Sequence, residues 1–159
     1  MALLAIDPGR SYKGEASIGV CVFFNYSYNE YYRESITFES LVKSLEIKSL
    51  NEGLDLFYGV DLVTEVVIED FVNNDRSKGG QRNGTSECIG AVEFACIKTN
   101  TPFIRQPPSA LGPAKIHAGY DQKVKHLPHQ DSAYLHGFEY LIRKGRVAPV
   151  NLAATMKEH

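Results

Sequence analysis

Leu3-Leu4-Ala5-Ile6-Asp7-Pro8-Gly9 begins as an uninterrupted apolar run and ends on a carboxylate followed by a turn. The run has the length and composition of a buried strand, and Pro-Gly turns the chain immediately after it. Asp7 therefore sits at the strand's exit. A second run, Glu65-Val66-Val67-Ile68-Glu69-Asp70-Phe71, repeats the pattern: an apolar strand broken by acids near its end. A carboxylate in a buried strand is costly unless something compensates it. Two such strands lying parallel and adjacent bring Asp7 and Glu69 to one edge, where both can share a divalent cation. The plainer alternative is that each acid caps a turn or pairs with a base.

Working outward from these runs, Ala16–Phe24 reads as a second β-rich segment and Tyr31–Phe38 as a third, with the polar turn Asn25–Asn29 between them. Ser49-Leu50-Asn51-Glu52 has capping-box spacing, and Leu50, Leu54 and Phe57 follow at helical intervals up to Gly59, which predicts a helix. Val72–Ser86, rich in Asn, Gly, Ser, Lys and Arg, reads as a long loop. A helix is expected over Glu87–Lys98, a short strand at Phe103-Ile104, and a loop with a short helix over Ala110–Leu127. The last helix runs from His129 to Gly145, with Tyr134, Leu135, Phe138, Leu141 and Ile142 as its apolar stripe. The order is βββ-α-β-α-β-α. It implies an α/β fold: a mixed central sheet of three antiparallel strands followed by two parallel ones, flanked by helices.

A chain of 159 residues, 43% hydrophobic and 23% charged, suits one soluble domain spanning 1–159. Its longest strongly apolar stretch, Ile18–Phe24, is too short to span a bilayer. The first residues lack the basic leader and cleavage site of a signal peptide, so a cytoplasmic, intracellular protein without membrane attachment is expected. Cys21, Cys88 and Cys96 have neither zinc nor disulfide spacing and read as small apolar residues in a reducing compartment. The net charge of −2 conceals an asymmetry. Residues 1–70 carry five Lys/Arg against twelve Asp/Glu, whereas residues 71–147 carry eleven against six. A basic second half is either an ordinary solvated face or a surface for phosphate.

Taken together, Leu4-Ala5-Ile6-Asp7-Pro8-Gly9 with Gly14, and Val67-Ile68-Glu69-Asp70-Phe71, resemble the first two acidic motifs of the RuvC-type Holliday junction resolvases, in a compact, phage-like version. The resemblance covers roughly residues 3–145. In that family a helix with glycine and alanine follows the second motif, as Ile89-Gly90-Ala91-Val92-Glu93 does here. A C-terminal helix then carries the remaining ligands. The matching stretch is His129-Gln130-Asp131-Ser132-Ala133, with His136 beyond it. Aligned strictly, His129 takes the first ligand position and Ser132 stands where the family has Asp. Either Asp131, one residue earlier, turns into the site, or that ligand is missing. Helical geometry puts His129, Ser132 and His136 on one face, and Asp131 nearer the apolar stripe.

The resemblance implies an RNase H-like fold and an endonuclease of branched DNA, above all of four-way junctions. It implies two Mg²⁺ or Mn²⁺ ions per active site, about 4 Å apart. Asp7 would bridge both, Glu69 would hold one, and His129 with Asp131 the other. It also implies a homodimer, because a two-fold junction needs two symmetric cuts. Acidic ligands repel a polyanion, so basic residues must surround them. Arg76, Lys78 and Arg82 in the long loop, and Lys115, Lys123 and Lys125 further on, are the DNA-binding candidates.

Three other readings compete. One is a nuclease of the same fold acting on another substrate, such as RNA–DNA hybrid. A second is a structure-specific DNA-binding module that does not cut, which Ser132 keeps open. The third is an actin-like ATP-binding fold, and the length opposes it because that fold needs two such lobes. His126 and His129 lack the further ligands of a zinc site.

Overall fold

The computed structural model describes residues 1–45, 54–55, 62–70, 83–124 and 126–145. The opening apolar run is strand β1 (Ala2–Asp7). Strand β2 (Ile18–Phe24) folds back on it antiparallel, and β3 (Tyr31–Ile36) on β2. Helix α1 (Phe38–Ser44), the two-residue strand β4 (Leu54–Asp55) and strand β5 (Leu62–Glu69) follow. Then come α2 (Gly84–Thr99), β6 (Phe103–Gln106), a 3₁₀ turn at Pro108–Ala110, α3 (Leu111–Ala118) and α4 (His129–Arg143).

The sheet runs β3-β2-β1-β5, and β5 also pairs with both β4 and β6. β1, β5 and β6 are parallel, with Ile6 opposite Ile68 and Glu69 opposite Gln106. This is the expected mixed sheet with β4 added. Strand alternation divides the core into two halves. Ala2, Leu4, Ile6, Val66 and Ile68 face the side covered by α1 and α2 residues such as Leu41, Cys88 and Val92. Leu3, Ala5 and Val67 face the other side, against Leu135, Phe138 and Leu141 of α4. Asp7 and Glu69 continue the second set, so both leave the sheet toward α4.

Three local expectations need correction. Leu54, expected inside a helix, pairs with Val63 in an antiparallel ladder, because pairing with the β5 backbone outweighs its helical spacing. Leu50, Phe57 and Gly59 lie outside the described residues. The strand expected to reach Phe38 ends at Ile36, because Thr37 caps α1 by accepting from the Ser40 amide, 3.1 Å away. The helix expected from Glu87 begins at Gly84, because Asn83 accepts from the Ser86 amide at 3.0 Å. Among the described residues no helix is long and apolar enough to cross a membrane.

Candidate active site

Asp7 and Glu69 end adjacent parallel strands one residue beyond the Ile6–Ile68 pair, which sets their backbones about 4.8 Å apart. Opposite them, α4 lays its first two turns across the sheet. It comes close because the sheet and helix each present a glycine. A Cβ on Gly19, the residue paired with Asp7, would stand 1.8 Å from the His129 carbonyl oxygen. A Cβ on Gly137 would stand 2.1 Å from the Phe23 ring. Two side chains without Cβ atoms thus let the helix backbone approach the strands that carry the acids.

Three contacts between α4 and these strands follow. His129 Nδ1 lies 3.1 Å from Asp7 Oδ2, His136 Nε2 lies 2.7 Å from Glu69 Oε2, and the Tyr140 hydroxyl donates to Glu65. Contacts from positions 136 and 140 to positions 69 and 65 show that α4 runs antiparallel to β5. His129 and His136 are seven residues apart, two turns on one helix face, which is why one helix serves both acids. Their settings differ. The His129 side chain is 50% exposed, whereas His136 is fully enclosed. Gln106, the β6 residue opposite Glu69, approaches His136 from behind, with Nε2 3.0 Å from both its Nδ1 and its carbonyl oxygen.

The electrostatics follow from this crowding. Burial pushes the Asp7 carboxyl above the ordinary carboxylate range, and the negative charge of Glu69 adds to the rise. The hydrogen bond to His129 and the positive potential of both histidines oppose it. An ionised carboxylate can only accept, so His129 donates from Nδ1 and leaves its Nε2 edge for solvent.

Of the residues singled out in the sequence, Asp7, Glu69 and His129 are brought together here. Asp131 turns instead to Arg33 on β3, at 3.1 Å, and that guanidinium also lies over the rings of Tyr31 and Tyr134. Ser132 is buried on the His129 side of the helix. Lys115 reaches the Val124 carbonyl from α3, and Lys123 is exposed in the following turn. Arg76, Lys78, Arg82 and Lys125 lie outside the described residues.

Sequence reasoning gave His136 little weight and missed Gln106 altogether. The repeat of histidine at positions 129 and 136 was a readable signal for the first. For the second only the strand register reveals the role. Arg10 was also missed: it pairs with Glu87 at the start of α2 and stacks on Phe38, 4.1 Å from the ring centroid. It braces the turn that follows Asp7.

Among the described residues, no three Asp, Glu, His or Cys side chains stand together as a formed metal cage. The donors come as two pairs, Asp7 with His129 and Glu69 with His136. Their chemistry nevertheless fits a hard divalent cation. Two oxygen donors on neighbouring strands repel one another in a partly buried setting, and no Lys or Arg contact with either acid is present among the described residues.

No protein-family model matches the chain, and no curated protein matches it. Among solved structures, the chain is similar to Thermus thermophilus RuvC in complex with a Holliday junction substrate. The two are 16% identical, 91% of this chain and 96% of that chain are covered, and the TM-score is 0.55. A second Thermus thermophilus RuvC structure matches at 14% identity over 91% and 97% of the two chains, with a TM-score of 0.49. With its three antiparallel strands, its parallel extension and its C-terminal helix laid over the acid-bearing strand ends, the chain has the RuvC-like form of the RNase H-like α/β fold.

Proposed function

We propose that the protein is a divalent-metal-dependent endonuclease that cuts branched DNA, with four-way junctions as its substrate, and that it works as a homodimer. The observation that carries this reading is the placement of Asp7 and Glu69 at adjacent parallel strand ends, each held by an imidazole of α4. Asp7, Glu69 and His129 are the residues that would hold Mg²⁺ or Mn²⁺. A bound ion of this kind supplies charge neutralisation at a phosphate and a more acidic water. The chain's own residues supply the geometry: the strands set the separation of the carboxylates, and His129 orients Asp7 while its exposed edge faces the substrate side. Lys115 and Lys123, with Arg76, Lys78, Arg82 and Lys125, are proposed to hold the phosphate backbone. Two copies related by a two-fold axis match the symmetry of a junction.

The test is a cleavage assay on junction, flap, linear duplex and RNA–DNA hybrid in Mg²⁺ and Mn²⁺. Paired nicks in the junction, abolished by Asp7→Asn and by Glu69→Gln while binding persists, are expected. Preferential cutting of hybrid would transfer the protein to another nuclease class. A second reading has its own support. With Ser132 where the resemblance places Asp, and Asp131 engaged by Arg33, the cluster holds two carboxylates among the described residues. That favours a module which binds junctions without cutting them, and tight binding with no metal-dependent product would establish it.

A further inference from the structure

Gln106 stands directly opposite Glu69 in the β5–β6 ladder, yet its side chain reaches past it to His136. Both Gln106 and His136 are removed from solvent, at 3% and 0% exposure, so water cannot substitute for any bond between them. The His136 carbonyl oxygen can only accept. Gln106 must therefore present its amide nitrogen there, because the flipped amide would set two acceptors face to face. The same nitrogen lies 3.0 Å from His136 Nδ1, within reach of its second hydrogen, and an amide N–H facing a ring N–H would set two donors face to face. Nδ1 is thus an acceptor, and the ring hydrogen resides on Nε2, 2.7 Å from Glu69 Oε2.

Resting on the metal-nuclease reading above, we propose that Gln106 and His136 are positioning residues for Glu69. Gln106 locks the imidazole in its Nε2–H form, and His136 holds one oxygen of Glu69, which leaves Oε1 as the atom that meets a divalent cation. The two histidines divide the work. His129, half exposed and bonded through Nδ1, turns its Nε2 edge toward solvent, whereas the enclosed His136 offers its Nε2–H to the acid. Buried carboxylates that serve as ligands are oriented by such outer bonds, and their loss commonly lowers metal affinity by about 10–100-fold.

The experiment uses the full chain. Long-range proton–nitrogen correlation in the metal-free protein should show His136 protonated at Nε2 and bare at Nδ1. The opposite tautomer overturns the proposal. Mn²⁺ affinity, measured by calorimetry, is then compared across variants with unchanged circular dichroism. Gln106→Glu replaces the donor by an acceptor of nearly the same shape and should weaken Mn²⁺ binding about 10–100-fold. His136→Leu should do the same. His136→Gln, which returns an N–H near the position of Nε2, should recover most of the affinity. If His136→Leu fails to fold, the tautomer and Gln106→Glu still decide. Asp7-dependent Mn²⁺ binding that neither Gln106→Glu nor His136→Leu alters would overturn the positioning role alone. A wild-type protein that binds no Mn²⁺ would overturn the metal reading and this role together.

Discussion

At the scale of single residues, Asp7 is held as a carboxylate at a cost to stability. Burial and the neighbouring Glu69 charge raise its folded-state pKa above the unfolded value. The protonated form is therefore the favoured one in the fold. Its contribution is fully present below the unfolded carboxyl pKa and is lost as pH rises through the folded one, so at neutral pH the charged side chain is a burden. Asp7→Asn should accordingly raise the metal-free melting temperature while eliminating Mn²⁺ binding. A lower melting temperature for this variant would contradict the account. Position 132 offers a second test. Ser132 shares the helix face of His129, and Asp131 is held by Arg33. Ser132→Asp should therefore strengthen Mn²⁺ binding, because it adds an anionic oxygen donor. Asp131→Asn should leave metal affinity within a few-fold of wild type. If Asp131→Asn instead abolishes binding, Asp131 belongs to the site and the strict alignment fails.

At the scale of elements, the docking of α4 on β1 and β2 places the histidines, and it rests on two glycines. A methyl at Gly137 would meet the Phe23 ring at 2.1 Å and the Ala5 Cβ at 2.9 Å. Overpacking of this kind costs about 1–3 kcal/mol. Each kcal/mol shifts the melting temperature of a chain this size by about 2–4 °C. Gly137→Ala should show such a loss in a thermal melt. Gly19→Ala drives a methyl into the His129 carbonyl itself and should also break the His129–Asp7 contact. Its Mn²⁺ affinity should fall further than its stability predicts, measured against Gly137→Ala as the control. Equal losses in the two variants would mean that the first turn of α4 does not place His129.

At the scale of the whole molecule, the two-sided core encloses all three cysteines. Burial pushes the Cys88 thiol up to about 11 and the Cys96 thiol to about 12, and drives Cys21 higher still. The nearby Asp7 charge adds to the rise at Cys88, against a hydrogen bond with the Gly9 backbone. Native protein at pH 8 should thus resist iodoacetamide, with labelling of the cysteines only after unfolding. Because the folded pKa values lie above the ordinary thiol value of 9.0, this contribution to stability is intact below pH 9 and declines above it. Melting curves from pH 8 to 11 measure the decline. Rapid labelling of Cys88 in the native state would show that the α2 side of the core is open.

The sequence by itself determined whatever depends on neighbours along the chain. An apolar run that ends at Asp7-Pro8-Gly9 carries its own burial and its own turn, and so does the run ending at Glu69. The helical repeat after His129 likewise announced α4, and the two acids were legible because a charge at the end of an apolar strand is locally anomalous. Thr37 and Asn83 were readable caps that composition alone obscured. Leu54 went the other way, since only the edge of β5 decides that it is a strand. Tertiary structure alone decided the partners: Glu69 meets His136 rather than a Lys or Arg, Gln106 stands behind it, and Asp131 turns to Arg33. The physical reason is register. Strand pairing and helix docking join residues 30 to 122 positions apart, and a slip of one residue in a strand would send Glu69, Gln106 or Arg33 to the other face of the sheet.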